Sequence, residues 1–349
     1  MLNYTETIKD LPNGEQKSII KVIERYSASY VAKDLFVDCY LRQLSYLKTH
    51  KMPWTIEEVE KAFKSKDFFK DLRDCGSWLN FRYYITPQKT KLHTANFCKR
   101  DKLCLPCAVR RAYKQQLKFM AIIESDNTLL NKDWYYLVLP IKHNKSESYE
   151  TVMARVIALR KKITQSMRDS RKGKSSNFWS SFNGGMYSQE VTHSSNGWNV
   201  HLNLIVNAPQ GTKIELKTIK NRRGQLSYQS EDLRSFMMKT CDSEMHNIQK
   251  IKDNTKLRDE IVEVLKYSLK FSALTQQQLF EVFVKSVSVR LFGTFGNLWG
   301  KGLDSVALEG DEILDGAFEE LIFIRAFGVS PEYKLHKRYM NEDSLDGQF

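Results

Sequence analysis

The sequence predicts an α+β fold: a central antiparallel sheet flanked by helices, with a helical N-terminal region and a small cysteine-rich insert. Three patterns predict it. Residues 14–74 have the apolar spacing of helices, Trp134–Ile141 has the composition of a central strand, and Gly185–Val206 has the pattern of a hairpin. Because strands and helices are mixed around a hairpin, the sheet is expected to be largely antiparallel.

The N-terminal region is expected to consist of helices that end before a strand. Its apolar residues at helical spacing are Ile19, Ile20, Ile23, Tyr26 and Tyr30. Thr55 and Glu58 have the spacing of a capping box, in which each side chain bonds the other residue's backbone N–H. Gly76 then breaks the pattern, and Trp78–Ile85 is predicted to be a strand.

The remaining elements follow from the same periodicities. In chain order they are a cysteine-bearing loop over 89–107, a helix over 108–123, a strand at Trp134–Ile141, a helix over 149–170, hairpin strands at Gly185–Thr192 and Trp198–Val206, helices over 231–249 and 255–271, and a last strand at Val284–Phe292. The turn between the hairpin strands contains Asn196-Gly197, a strong hairpin signal.

Positive charge is concentrated in two windows of the chain. The net charge is +13, and residues 89–118 hold nine Lys and Arg against one Asp, while residues 155–174 hold eight against one Asp. Such windows favour nucleic acid, because each neutralised phosphate releases counterions. The alternative is two solvated basic faces. The candidate DNA-binding residues are Lys99, Arg100, Lys102, Arg110, Arg111, Lys114, Arg160, Lys161, Lys162, Arg168, Arg171 and Lys172.

The opposite charge collects near the other end of the chain. Residues 304–320 carry seven acidic side chains and no basic one. Since carboxylates repel phosphates, this segment is expected to face a partner, solvent or the protein's own basic surface.

Membrane and secreted classes are not favoured by the sequence. The longest apolar run, Trp134–Ile141, has eight residues and contains a proline, whereas a membrane span needs about 18. The N-terminus lacks the charged and apolar regions of a signal peptide. Six cysteines are then expected to be reduced thiols or metal ligands rather than disulfides. A cytoplasmic protein is the expectation.

Three cysteines have the spacing of a metal site. Cys98, Cys104 and Cys107 follow the pattern Cys-x5-Cys-x2-Cys, and thiolates near a turn can bind tetrahedral Zn²⁺ together with a fourth ligand. Cys75 is the favoured fourth ligand and His93 the alternative. Unligated thiols are the competing interpretation, and a redox role is less favoured because no thioredoxin-like pattern surrounds the pair.

The second hairpin strand carries a candidate cation site. His201 and Asn203 are two residues apart, so both point to one face of the sheet. Glu190 on the preceding strand could lie across from them and project the same way. A carboxylate, an imidazole and an amide oxygen suit Mg²⁺ or Mn²⁺ holding a phosphate. The alternative is a His and an Asn on a solvent face.

A helical stripe carries a candidate nucleophile. Glu263, Tyr267 and Lys270 fall at i, i+4 and i+7. A phenol with a pKa of about 10 must be activated by a cation or metal before it can attack phosphorus. A carboxylate one turn away can act as a base for water or a second hydroxyl. The alternative is an ordinary amphipathic helix with a Glu- and Lys-rich face.

Taken together and in this order, these features resemble the rolling-circle replication initiators of small Gram-positive plasmids, which belong to the HUH endonuclease superfamily. The similarity covers residues 75–295. Phe97–Arg111, with Cys75 before it, is similar to the family's cysteine- and arginine-rich segment. Tyr136–Leu139 occupies the place of its first strand motif.

The nucleophile motif gives the most specific match. Lys266–Lys270 is similar to the family's KYxxK motif, and Glu263 stands at the position of its Glu. The metal motif departs from the family's HPHxH-like pattern, because only His201 remains as an imidazole. Related viral initiators use His-hydrophobic-Gln with an upstream Glu, so Asn203 with Glu190 resembles a variant of that arrangement.

The resemblance implies four regions: a helical region over 1–74, a cysteine-rich segment over 75–123 that binds zinc and DNA, an HUH/RRM-like nuclease domain over 130–295 and an acidic region over 296–349. The implied cofactors are a catalytic Mg²⁺ or Mn²⁺ and a structural Zn²⁺. The implied partners are origin DNA, double-stranded and as a single strand or hairpin, with a host helicase and DNA polymerase. A homodimer is compatible with it, and no membrane is involved.

The resemblance also implies a reaction, sequence-specific nicking and joining of one DNA strand at the origin. Tyr267 would attack the scissile phosphate, giving a 5′-phosphotyrosine link and a free 3′-OH that primes the polymerase. Lys270 would orient the phosphate, and Glu263 would activate water or the strand end at termination. The alternatives are an HUH transposase or relaxase, and a non-enzymatic, zinc-stabilised DNA-binding repressor.

Overall fold

The computed structural model describes residues 8–47, 55–63, 67–220, 226–265, 274–301, 317–325 and 332–341. The chain forms two compact units, Met1–Ala108 with Ala307–Phe349, and Val109–Val306. The fold is α+β with antiparallel sheets in both units. No helix in the described ranges is long and apolar enough to cross a membrane.

The first unit packs helices against a four-stranded antiparallel sheet. Its helices are α1 (Asn13–Leu47), α2 (Ile56–Ala62) and α3 (Phe68–Asp74), and its strands are β1 (Trp78–Tyr84), β2 (Lys89–Ala95), β10 (Phe318–Arg325) and β11 (Tyr333–Asn341). The strand order is β11-β10-β1-β2. The core joins apolar residues of α1 with alternate residues of the strands: Ile19, Ile23, Tyr26, Leu79, Phe81, Leu321 and Phe323.

Several sequence predictions for this unit are confirmed and two differ. Helices occupy much of residues 14–74, and both halves of the capping box at Thr55 and Glu58 are formed. The expected loop over 89–107 contains β2, and the C-terminal region contributes β10 and β11. Most of the acidic segment over 304–320 lies outside the described residues.

The second unit contains a five-stranded antiparallel sheet in the order β8-β3-β5-β4-β9. The strands are β3 (Asp133–Pro140), β4 (Gly184–Ser194), β5 (Gly197–Ala208), β8 (Asn247–Ile251) and β9 (Phe292–Gly296), and β6 (Lys217–Lys220) pairs separately with β7 (Leu226–Gln229). The helices are α4 (Leu105–Ser125, which starts in the first unit), α5 (Asn127–Leu130), α6 (Tyr149–Arg171), α7 (Glu231–Cys241), α8 (Asn254–Leu265) and α9 (Gln276–Lys285).

Different helices cover the two faces of this sheet. Met186 and Ile205 point to the face where α8 and the second half of α4 pack, with Ile261 fully buried among them. On the other face, Arg160 of α6 bonds Tyr187 of β4. We call these the α8 face and the α6 face. Because successive residues of a strand alternate, the register assigns every sheet residue to one of them.

The hairpin was predicted correctly, whereas two other assignments were wrong. β4 and β5 pair along their length, with Glu190 directly opposite His201. The helix expected over 231–249 ends at Cys241, because Asp242 adopts a left-handed conformation (φ 52°) and the chain then enters β8. Most of the expected strand at Val284–Phe292 is the end of α9 and a turn, and β9 begins only at Phe292.

The packing of α8 gives a stability prediction. Ile261 is fully buried against the sheet, whereas the adjacent Val262 is 36% exposed. Ile261→Ala should lower the free energy of unfolding by about 2–5 kcal/mol, because it removes buried methyl groups and leaves a cavity. Val262→Ala, the matched control, should change it by less than about 1 kcal/mol. Urea denaturation followed by circular dichroism measures both, and equal losses would contradict this packing.

Candidate metal centres

Four cysteines from separate parts of the first unit meet in its interior. Cys75 follows α3, Cys98 and Cys104 lie in the segment between β2 and α4, and Cys107 lies in the first turn of α4. All four are free thiols and at most 8% exposed. Gly76 allows this approach, because it has φ +74° and a Cβ there would lie 2.2 Å from the ring of Tyr26.

The sulfur positions match a tetrahedral ion. Sγ of Cys75 lies 3.5 Å from Sγ of Cys104 and 3.6 Å from Sγ of Cys107, and all four sulfurs lie within 4.8 Å of one another. Four thiolates about 2.3 Å from a tetrahedral Zn²⁺ would be about 3.8 Å apart. The group could therefore hold a metal ion such as zinc. His93, the alternative ligand, is not part of it.

Thiol contacts also favour the deprotonated form of one member. Hydrogen bonds with the neighbouring thiols, that of Cys104 above all, lower the pKa of Cys75 well below its usual value. Cys241 lies apart from this group, and burial raises its pKa to about 11. The cluster is not uniform, because hydrogen bonds with the neighbouring thiols, that of Cys104 above all, raise the pKa of Cys98 and of Cys107.

Lys33 of α1 is buried beside the cysteines, a contact that the sequence analysis missed. Its Nζ donates to the carbonyl oxygen of Cys75 at 3.0 Å and lies 4.0 Å from Sγ of Cys104, and the residue is 2% exposed. Burying an ammonium is costly unless a negative group compensates it. A metal ion with four thiolates is such a group. The sequence signal was a lysine seven residues after Tyr26, on the buried side of α1.

The basic residues of the cysteine-rich segment do not form one solvated patch. Lys99 is exposed and has φ +56°, whereas Arg100 lies over the ring of Phe68 and 3.6 Å from a carboxylate oxygen of Asp71. Lys102 lies in the turn before Cys104. Arg110, Arg111 and Lys114 are half-buried in the first half of α4. The contacts of Arg100 give it a structural as well as an electrostatic role.

Glu190, His201 and Asn203 come together on the α8 face. Glu190 is the direct cross-strand partner of His201, and Oε2 of Glu190 accepts a hydrogen bond from Nδ2 of Asn203 at 3.2 Å. Asn203 is only 4% exposed, and its Oδ1 has no hydrogen-bond partner among the residues that the structure describes. Because a carboxylate must face the NH₂ end of the amide, Oδ1 is the atom left over. An orphaned buried carbonyl beside a carboxylate fits a cation ligand.

The helix packed on this face brings further carboxylates. Glu260 and Glu263 of α8 and Glu190 of β4 all act on Tyr136 of β3, a half-buried phenol on the same face. Burial, and then these three negative charges, raise the pKa of Tyr136. The phenol therefore stays protonated at neutral pH. Tyr136 was predicted as part of a strand motif but not as part of a site, and only its register opposite Ile205 places it on this face.

Two predicted residues, Tyr267 and Lys270, lie outside the described residues. The last described residue of α8 is Leu265, and Glu263 lies exposed on that helix. Of the three residues of the predicted stripe, Glu263 alone therefore lies within the described residues. That member belongs to the helix that covers the metal-ligand candidates.

A cavity of about 780 Å³ lies beside α6, and a smaller one of about 630 Å³ reaches His201. The smaller one is lined by His201, Asn199, Lys142 and His143 among others. A ligand in it could approach the imidazole from solvent. The larger cavity is lined by four of the basic residues of 155–174, namely Arg160, Lys161, Arg168 and Arg171. Lys162 lines a different cavity, and Lys172 is exposed at the end of α6.

Comparisons with protein-family models, with curated proteins and with solved structures found no match to this chain.

The cysteine geometry predicts metal retention. Purified protein should keep about one equivalent of zinc, the ion that four thiolates favour. Cys75→Ser should reduce this below about half an equivalent, because a tetrahedral site loses one of its four ligands. Cys241→Ser, a buried thiol outside the group, should leave it unchanged. Metal analysis after gel filtration without chelator measures the three proteins, and a zinc-free wild type would contradict the site.

Proposed function

We propose that this protein initiates rolling-circle replication of a plasmid, by nicking and rejoining one strand of origin DNA through a tyrosine. One observation carries the proposal. Glu190, His201 and Asn203 converge on the sheet face against which the helix of Glu263 packs, and the buried Oδ1 of Asn203, which no described donor contacts, is an oxygen suited to ligate a cation. This juxtaposition supports the proposal of an HUH/RRM-like nuclease core.

The donor set defines the ion. Two oxygen donors and an imidazole suit a Mg²⁺ or Mn²⁺ that keeps open positions for water or phosphate, whereas closed sulfur sites hold structural zinc. When bound, such an ion polarises the phosphoryl oxygens and neutralises developing charge. Glu190, His201 and Asn203 would hold it. The hydrogen bond between Asn203 and Glu190 fixes the orientation of both ligands.

The reaction needs one nucleophile and one leaving group. The Oη of Tyr267 would form a bond to phosphorus as the bond to the 3′ oxygen breaks, and the proton of the phenol leaves to a base. The products are a 5′-phosphotyrosine and a 3′-OH that can prime a polymerase. Lys270 would neutralise the bound phosphate. The phosphodiester bond energy is kept in the covalent link, so the step needs no ATP.

Termination would use a carboxylate of the same helix. Glu263 is exposed on α8, two residues before the last described residue of that helix. It would accept a proton from water or from the incoming strand end, whose oxygen then bonds to phosphorus as the bond to Oη of Tyr267 breaks, and the released phenolate takes up a proton. The four cysteines would hold a structural Zn²⁺ in the first unit, where the basic residues near them would contact origin DNA.

The nucleophile assignment gives the decisive experiment. With Mn²⁺ and labelled single-stranded oligonucleotides from the plasmid that encodes the protein, wild type should form a protein–DNA adduct stable to denaturing electrophoresis. Tyr267→Phe should abolish it, because a phenyl ring has no nucleophilic oxygen. Tyr136→Phe is the matched control and should keep it, since burial and three carboxylates hold that phenol protonated.

The outcomes separate the competing functions. Adducts that persist in Tyr267→Phe would overturn the nucleophile assignment. Tight binding without an adduct in any protein would favour the zinc-stabilised repressor. A transposase or relaxase would give the same adduct, but on DNA other than an origin of its own replicon.

The unusual ligand Asn203 gives a second prediction. Asn203→His replaces an oxygen donor by a nitrogen donor, which Mg²⁺ accepts less readily than Mn²⁺. The ratio of adduct formation in Mn²⁺ to that in Mg²⁺ should rise by about tenfold or more, a difference of about 1.4 kcal/mol. Asn127→His, at an exposed asparagine of α5, is the control and should leave the ratio unchanged. An unchanged ratio in both variants would show that Asn203 is not a ligand.

A further inference from the structure

We propose that the α6 face of the second unit carries a second nucleic-acid site, a groove that binds a single strand by its phosphates and one stacked base. The groove lies between α6 and β9 and has a volume of about 780 Å³. The described residues of its walls include Arg160, Lys161, Arg168, Arg171, Arg290, Tyr187, Phe295 and Trp299, and none of the described lining residues is acidic. We call it the α6–β9 groove.

The groove is separate from the candidate catalytic face. Tyr187 lines it, whereas Glu190 is three residues further along β4, so their side chains point to opposite faces of the sheet. A strand in the groove would therefore not be the strand held at Glu190 and His201. The inference deepens the proposed function, because it adds a place for a second stretch of DNA.

Charge complementarity identifies the occupant as a polyanion. Arg160, Lys161, Arg168 and Arg171 lie within three turns of one helix, a length of about 16 Å at about 1.5 Å per residue. Lys161 and Arg168 are exposed and form no ion pair within the described ranges. Asp169 lies on the same helix, but it does not line the groove and accepts a hydrogen bond from Gln165 at 2.7 Å. The row of cations along the groove is matched by successive phosphates.

Two basic groups in the groove are held in place by the fold. Nη1 of Arg160 donates to Oη of Tyr187 at 2.5 Å, and its guanidinium lies over that ring, 4.7 Å from the centroid. Nη2 of Arg171 donates to the carbonyl oxygen of Asn183 at 2.8 Å. These bonds fix the two side chains without neutralising their charge. The phosphate positions are therefore set before any ligand binds.

An exposed aromatic residue points to a single strand rather than a duplex. Trp299 is 74% exposed and follows Gly296, whose φ of +67° forms the turn after β9. Bases of a single strand can stack on such a ring, whereas the bases of a duplex are already stacked.

The experiment compares single-stranded and duplex DNA with the full-length, zinc-loaded protein. The probes are a fluorescein-labelled 20-nucleotide strand of mixed sequence and its blunt duplex, read by fluorescence anisotropy over a range of salt. Trp299→Ala should weaken strand binding by about tenfold or more, because one stacked base is lost. Trp299→Phe should keep most of the wild-type affinity for the strand, because a phenyl ring can still stack on a base. Duplex binding should change by less than about twofold.

A matched lysine pair tests the charge. Lys161→Ala removes a groove cation, and Lys252→Ala removes an exposed lysine beside β8 at the other edge of the sheet. The salt dependence is the slope of log K for strand binding against log salt concentration. Lys161→Ala should reduce the magnitude of this slope by about 0.7, the value for one phosphate contact to a single strand. Lys252→Ala should leave it unchanged.

Failure of this inference is distinguishable from failure of the proposed function. Unchanged strand affinity in Trp299→Ala and Lys161→Ala would overturn the groove, whether or not the Tyr267 adduct forms. Equal displacement of the strand by polyglutamate of the same charge would also overturn it, because it would show an unspecific anion surface. Trp299-dependent strand binding without an adduct would support the groove and refute the nuclease.

Discussion

The packing of α8 on the five-stranded sheet is the interaction on which the candidate catalytic site depends. Burial of Ile261 against Met186 and Ile205 holds the helix on one face, and apolar burial of this kind contributes roughly 1.5–3 kcal/mol per large side chain. The same contact brings the carboxylates of α8 toward Tyr136 and Glu190. A hydrophobic contact thus sets the positions of polar groups that would otherwise repel one another. Any ion at this face would be bound against a negative surface that packing has assembled.

The parts of the fold that the sequence predicted are those with strong local signals. The hairpin was predictable because Asn196-Gly197 sets its turn, with Gly197 at φ +92°, and the turn sets the register. The same register brings Glu190 opposite His201, so this part of the site was predictable too. β8 was missed because its apolar residues continue the spacing of α7, and the left-handed residue that ends that helix is an aspartate rather than a glycine.

Other features were unpredictable because they depend on distant partners. The acidic segment over 304–320 was expected to face a partner, solvent or the protein's own basic surface, and the sequence did not indicate which. Glu320 of β10 is 5% exposed and accepts a hydrogen bond from Nε of Arg82 at 2.8 Å. A strand whose charges are paired by another strand has no local signature. The buried ammonium of Lys33 is a similar case, since its partners lie 42 and 71 residues away. The orphaned atom of Asn203 likewise appears only when side chains are placed.

The position of β9 has a consequence for self-association. In the described part of the chain it is the outer strand of its sheet, five residues long. An outer strand presents backbone N–H and C=O groups to which another molecule's strand can add, the first step of many aggregates. Here the guanidinium and ammonium groups of α6 lie beside that edge, so a second copy would bring like charges together. Dilute buffer should therefore keep the molecules apart, and concentrated salt would weaken that protection.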